Sequence, residues 1–212
     1  MNRRNYQREM EETLKALGEL RKRPRLLLHS CCAPCSSYVL ETLCPYFDIT
    51  IFYFNPNIGE EEEYTRRAEE QRRLAACLDV PGTVAYLEGE YCPQRYYEAV
   101  RGLEGLPEGG ERCFRCYALR LTETARAARE GGFDFFTTTL SISPLKNADK
   151  LNEIGQALEA QWGVPYLCSD FKKKEGYKRS IELSRLYGLY RQDYCGCVFS
   201  KEESLRRRER KD

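Results

Sequence analysis

Histidine is all but missing from this 212-residue chain, which has His29 alone, and tryptophan and methionine number only one and two. Any imidazole acid–base chemistry must therefore use His29, and a histidine at a strand end suits a packing or supporting role better. Neither G-x-x-x-x-G-K-[ST] nor G-x-G-x-x-G occurs, so ATP use has no support. No stretch is long and apolar enough to span a membrane. The opening Met1-Asn2-Arg3-Arg4-Asn5-Tyr6-Gln7 lacks the apolar run of a signal peptide, which predicts a reducing, cytoplasmic setting. Charge of one sign is also lacking, at +1 overall, but it is unevenly spread. Residues 171–212 hold thirteen Lys or Arg against seven Asp or Glu, a local excess that suits either a polyanion or a solvated helical tail.

Cysteine is what the chain has in abundance. Its eleven cysteines are an odd number, and a chain of this length can bury a substantial core without covalent staples, so a disulfide scaffold is the weaker explanation. Seven fall into three tight groups: Cys31-Cys32-Ala-Pro-Cys35, Cys113-Phe-Arg-Cys116 and Cys195-Gly-Cys197. Short spacings let one segment deliver two ligands to one centre. A lone tetrahedral zinc uses four thiols and leaves three unexplained. An iron–sulfur cluster with a second metal accommodates all seven, and a thiol–disulfide site is the third option. Cys44 and Cys77 lie on apolar helical stripes and are expected in the core; Cys92 is expected to be structural, and Cys168 to end a strand.

Periodicity places these groups on elements. Helical spacing covers 3–22, 36–43, 60–78, 91–102, 111–130 and 148–162, and helix resumes as far as Leu189 and again at the basic end. Strands are predicted at 25–29, 48–54, 83–87, 133–139 and 164–167. Alternating β and α elements predict a parallel sheet with helices on both faces, an α/β three-layer sandwich with extra helices. The division is a helix at 1–24, an α/β catalytic domain at 25–200 and a basic helical tail at 201–212. In such sheets ligands gather beyond the carboxyl ends of the strands, so the segments 29–35, 55–57, 137–143 and 168–170 should share one cleft. Asp193 and Tyr194 beside Cys195, and Asp170 beside Cys168, are candidate proton carriers, and Asp193 is also a candidate iron ligand. Tyr53, Phe54, Tyr96, Tyr97, Tyr187 and Tyr190 permit stacking on a splayed RNA base, although most suit a core.

The ordered set His29-Ser-Cys-Cys-Ala-Pro-Cys35, Phe54-Asn-Pro-Asn-Ile58 with Glu63, Tyr64 and Arg67, Arg112-Cys-Phe-Arg-Cys-Tyr117, Thr137-Thr-Thr-Leu140 and Tyr190-Arg-Gln-Asp-Tyr-Cys-Gly-Cys-Val-Phe-Ser200 resembles the QueH family of epoxyqueuosine reductases. The resemblance implies a nucleotide α-hydrolase-like (HUP, Rossmann-like) sheet, a 4Fe-4S cluster and a neighbouring mononuclear iron or zinc. It also implies cobalamin-independent removal of the epoxide oxygen from epoxyqueuosine at the wobble position of the tRNA anticodon, giving queuosine, with electrons from an external donor. By the same analogy Cys31, Cys32, Cys113 and Cys116 hold the cluster, while Cys195, Cys197, Cys35 and Asp193 are candidates for the second metal. Lys172, Lys173, Lys174, Lys178, Arg179 or the terminal arginines would contact the RNA backbone. The rival classes are a cluster-dependent tRNA sulfur transferase, which would need the missing phosphate loop, and a zinc-stabilised RNA-binding module.

Overall fold

A computed structural model describes residues 4–19 and 23–209. Its centre is a four-stranded parallel sheet: β1 (Arg25–His29), β2 (Asp48–Tyr53), β3 (Val84–Glu88) and β4 (Phe135–Thr138), in the order β3-β2-β1-β4. Leu26, Leu27 and Leu28 are fully buried because β1 is an interior strand covered on both faces, as a continuous apolar run requires. β3 lies at the sheet's edge, and its Leu87 and Glu88 stay exposed. The two-residue period divides the core. Leu26, Leu28, Ile49 and Ile51 face one cluster, whereas Leu27, Phe52 and Phe136 face the other.

Helices α1 (Tyr6–Gly18), α2 (Ala33–Leu43) and α3 (Glu61–Cys77) bury Met10, Leu14, Val39, Leu40 and Leu74 in the first cluster. The short α4 (Pro93–Ala99) leads to α5 (Glu111–Glu130), which packs with α6 (Ala148–Trp162) against the second. A 3-10 turn, Thr139–Ile142, follows β4, and α7 (Gly176–Leu186) and α8 (Val198–Glu209) complete the order. The α/β layered architecture expected from the sequence is present.

Three local expectations are corrected. The fifth strand shrinks to one parallel bridge, Phe136 to Tyr166, because Pro165 has no N–H to extend the ladder. The helical reading before Leu189 is interrupted by a turn in which Lys174 and Glu175 have φ of 49° and 60°. The helix can start only at Gly176, where a Cβ would lie 2.0 Å from the Phe171 carbonyl oxygen. Cys77, expected in the core, is exposed: it is the last residue of α3 and lies off the buried stripe, although Leu74, Ala75 and Leu78 around it pack on the apolar cluster.

Candidate metal centre

The three cysteine groups converge, and each arrives at the start of a helix. Cys31 and Cys32 follow β1, with Cys32 at the N-cap of α2 and Cys35 in its first turn. Cys113 and Cys116 lie in the opening turns of α5, and Cys197 immediately precedes α8. Helix N-termini carry partial positive charge, which favours thiolate over thiol. The sulfurs of Cys31, Cys32 and Cys35 all lie within 4.8 Å of one another. Cys195 and Cys197 place theirs 3.6 Å apart. Cys195 shares a cavity of about 190 Å³ with Cys31, Cys32 and Cys35. Cys116 and Cys197 pack together with Cys195 beside Tyr96, and Cys31 packs on the cluster that contains Cys113.

Proton sharing within these groups is a test of whether a metal fits them. Cys31 is pulled well below an ordinary thiol by hydrogen bonds from Cys32 and Cys35, aided by Arg120 and Thr139. Cys32 and Cys35 are correspondingly pushed up beside it. The same split occurs at the other end, with Cys195 lowered by Cys197 and Cys197 raised by Cys195. Burial raises Cys113 and Cys116. Within each close-packed set one thiol is lowered at the expense of its neighbours, and a bound cation would replace the protons that the raised thiols keep. The donor set fits a multi-thiolate metal centre.

Buried polar side chains brace the site. Arg120 follows Cys116 by one turn of α5; its Nε donates to His29 Nε2 at 3.2 Å and its terminal nitrogens reach Asn55 Oδ1 and the Cys116 sulfur. The same Nε2 lies 3.2 Å from the Phe54 carbonyl oxygen, and Nδ1 lies 2.8 Å from Thr138 Oγ1, so both ring nitrogens are engaged. Burial pushes His29 down to about 3, and the imidazole is neutral. His29 therefore supports the cavity wall from behind, as its strand-end position predicts.

The irregular 190–197 segment is held by side chains from β2 and α3. Asn57 Nδ2 and Arg67 donate to the Cys195 carbonyl at 3.1 and 3.3 Å. Buried Arg67 is itself oriented by Glu63 at 2.7 Å, and the Tyr190 hydroxyl donates to the same carboxylate. Glu70 accepts from the Tyr190 amide at 2.7 Å. Ser200, on α8, meets both sulfurs of the last pair, at 3.1 Å from Cys195 and 3.4 Å from Cys197.

Asp193 and Tyr194 line the cavity with Arg191 and Gln192. Although burial opposes it, Ser204 and Arg208 hold the Asp193 carboxyl below its usual range. Burial raises Tyr194, which keeps its phenolic proton beside Arg67. Gln192 Oε1 is buried with no hydrogen-bond partner among the described residues. Cys168, in contrast, packs beside Tyr166 and α6, outside this cavity, and Asp170 lines a neighbouring groove. Of the aromatics, Tyr53, Phe54 and Tyr96 are core residues.

Comparison with known proteins agrees with this geometry. The family profile described as epoxyqueuosine reductase QueH matches residues 26–203. This chain belongs to the QueH family. It is 44% identical over 198 residues to epoxyqueuosine reductase QueH of Streptococcus pyogenes, covering 92% of this chain and 78% of that one. It is 39% identical over 188 residues to the protein of that name from Thermotoga maritima, with 87% and 93% covered. The motifs that carry the QueH resemblance now have physical roles: within Phe54-Asn-Pro-Asn, Asn57 joins Glu63 and Arg67 in clamping the last cysteine pair, while Asn55 holds Ser30 beside the first group.

Reasoning from sequence did not single out Arg120 or Lys146. The signal for Arg120 is its spacing, since residues 113, 116 and 120 form one helical stripe. Lys146 gave no such signal. It is buried in the cavity wall and pairs with Glu108 at 3.0 Å. Burial opposes its charge, but Cys195, Tyr117, Glu108 and Cys113 outweigh burial and keep the ammonium protonated.

Proposed function

We propose that this protein is an epoxyqueuosine reductase acting on tRNA, and that it works through a 4Fe-4S cluster and a neighbouring mononuclear iron, or zinc, held by its clustered thiols. Membership of the QueH family supports the reaction. The single observation that carries the chemistry is the convergence of Cys31, Cys32 and Cys35 with Cys195 on one cavity. On this reading Cys31, Cys32, Cys113 and Cys116 hold the cluster, and Cys35, Cys195, Cys197 and Asp193 supply the second metal. When bound, this centre supplies electrons and Lewis acidity toward an oxygen atom.

The reaction converts an epoxide to an alkene, consumes two electrons and two protons and releases water. The electrons come from an external reductant. The protons come from groups that still hold them at neutral pH. Lys146 and Tyr194 meet that condition on the cavity wall, whereas an ionised Asp193 has no proton to give and suits metal ligation instead. Lys146, fixed by Glu108, places a positive charge where negative charge develops on a departing oxygen. Gln192 Oε1 offers an acceptor to a substrate hydroxyl or amine. Arg191 and Tyr177 flank the cavity and narrow the access of water.

The test is anaerobic purification, metal and sulfide analysis, and incubation with a chemical reductant and tRNA that contains epoxyqueuosine. Nucleoside mass spectrometry should then show loss of one oxygen atom from the modified base. Zinc without sulfide, or unchanged tRNA with iron- and sulfide-loaded protein, would sink the proposal.

A further inference from the structure

A second depression, a groove of about 790 Å³, adjoins the thiol-lined cavity, and Leu145 and Lys146 belong to the walls of both. Leu145 is 54% exposed, an apolar ridge between the two depressions. The groove's other walls come from three places that are far apart in sequence: the start of α1, the start of α6, and the turn before α7. They bring Arg4, Lys146 and Lys172 to Lys174 together, five cations, against Asp149 and Asp170.

Most of these cations are anchored. Lys172 pairs with Asp170, Lys174 with Glu11, Arg4 with Glu9 and Lys146 with Glu108. Lys173 is exposed and has no ionic partner among the described residues. Anchored ammonium groups keep spare N–H donors, and a free one adds uncompensated charge. The N-terminus of the fifteen-residue helix α6, capped by Asn147, opens into the same groove and adds partial positive charge.

A nucleotide inside an RNA chain cannot enter a cavity alone, because its two flanking phosphates must lie against whatever adjoins the mouth. We propose that this groove is the docking site for the RNA sugar–phosphate backbone next to the reacting nucleotide, with Leu145 as the ridge over which that nucleotide is splayed into the thiol-lined cavity. The proposal rests on the reductase reading and deepens it. It assigns backbone contact to the turn 172–174, and it leaves out Lys178 and Arg179, which lie beyond the groove; Arg179 is occupied by Glu41 and Glu182. Phosphate contact fixes register, while the cavity reads the base.

The experiment measures binding of a fluorescent anticodon stem–loop RNA with guanine at the wobble position, across a salt series, by anisotropy, so that no reduction is required. Lys173→Gln should weaken binding severalfold and lower the slope of log affinity against log salt by roughly 0.7–0.9, the value of one phosphate contact. Lys173→Glu should weaken it by about tenfold or more. Arg206→Gln, on the C-terminal helix, should bind as the unmodified protein does. Iron content and melting temperature should match in all three variants. Native-like binding and salt slope in both Lys173 variants would overturn the groove while leaving the reductase intact. If the unaltered protein fails to bind the RNA even at low salt, the groove falls, and the reductase reading stands or falls on its own assay.

Discussion

The first and last cysteine groups are held by different means. Cys31, Cys32 and Cys35 sit on the turn between an interior strand and the helix that follows it, so regular backbone on both sides sets their positions, and Asn55, Gln71 and Thr139 brace that turn from outside. Cys195 and Cys197 sit on irregular chain, and side chains from residues 57, 63, 67, 70 and 200 set theirs. The first arrangement adds such bonds to regular secondary structure, whereas the second depends on a few long-range hydrogen bonds alone. The contrast teaches that a metal centre can be half scaffold and half clasp.

The largest effect is expected where the two halves meet. Cys113→Ala should lose both bound iron and epoxyqueuosine deoxygenation; a variant that keeps its iron and its activity would remove Cys113 from the ligand set. Arg67→Met comes next, since it leaves the Glu63 carboxylate with only the Tyr190 hydroxyl and the Cys195 carbonyl with only Asn57. Stability in urea should fall by about 3–5 kcal/mol, the usual cost of breaking a buried pair. Native-like stability and thiol reactivity would show that the clasp does not depend on Arg67.

Asn57→Ala removes one hydrogen bond and should cost about 1 kcal/mol. Faster alkylation of Cys195, with unchanged alkylation at Cys31, would be seen in the metal-free protein; equal acceleration at both would erase the contrast. Glu70 gives a pH signature. Arg73 and the Tyr190 amide hold its carboxyl below the usual range against burial. Its contribution is therefore present above the ordinary glutamate pKa and is lost as pH falls through the lowered folded value. The stability gap between the unmodified protein and Glu70→Gln should close as pH drops below about 4, and a gap that widens there would contradict the assignment. Smallest of all, exposed Cys77→Ala should leave iron content and stability within about 0.5 kcal/mol of native.

The same contrast explains what the sequence revealed. The turn after β1 was legible because Leu26-Leu27-Leu28 marks an interior strand and adjacent cysteines follow at its carboxyl end. The helices 111–130 and 148–162 were legible from periodicity alone and match α5 and α6. The grip of Asn57 and Arg67 on Cys195 spans more than a hundred residues, and no local pattern encodes such a pairing. Lys146 was equally hidden, because its role comes from the tertiary placement of Glu108. Cys77 misled because the apolar stripe of Leu74 and Leu78 passes beside it and leaves its own position on the solvent side.

The most direct test of a thiol centre assembled from three distant segments is an anaerobic crystal measured at the iron absorption edge. The account predicts anomalous peaks bonded to sulfurs from the 31–35, 113–116 and 195–197 segments around one cavity. Iron bound by a single segment, or these thiols left free of metal in protein that reduces epoxyqueuosine, would contradict it.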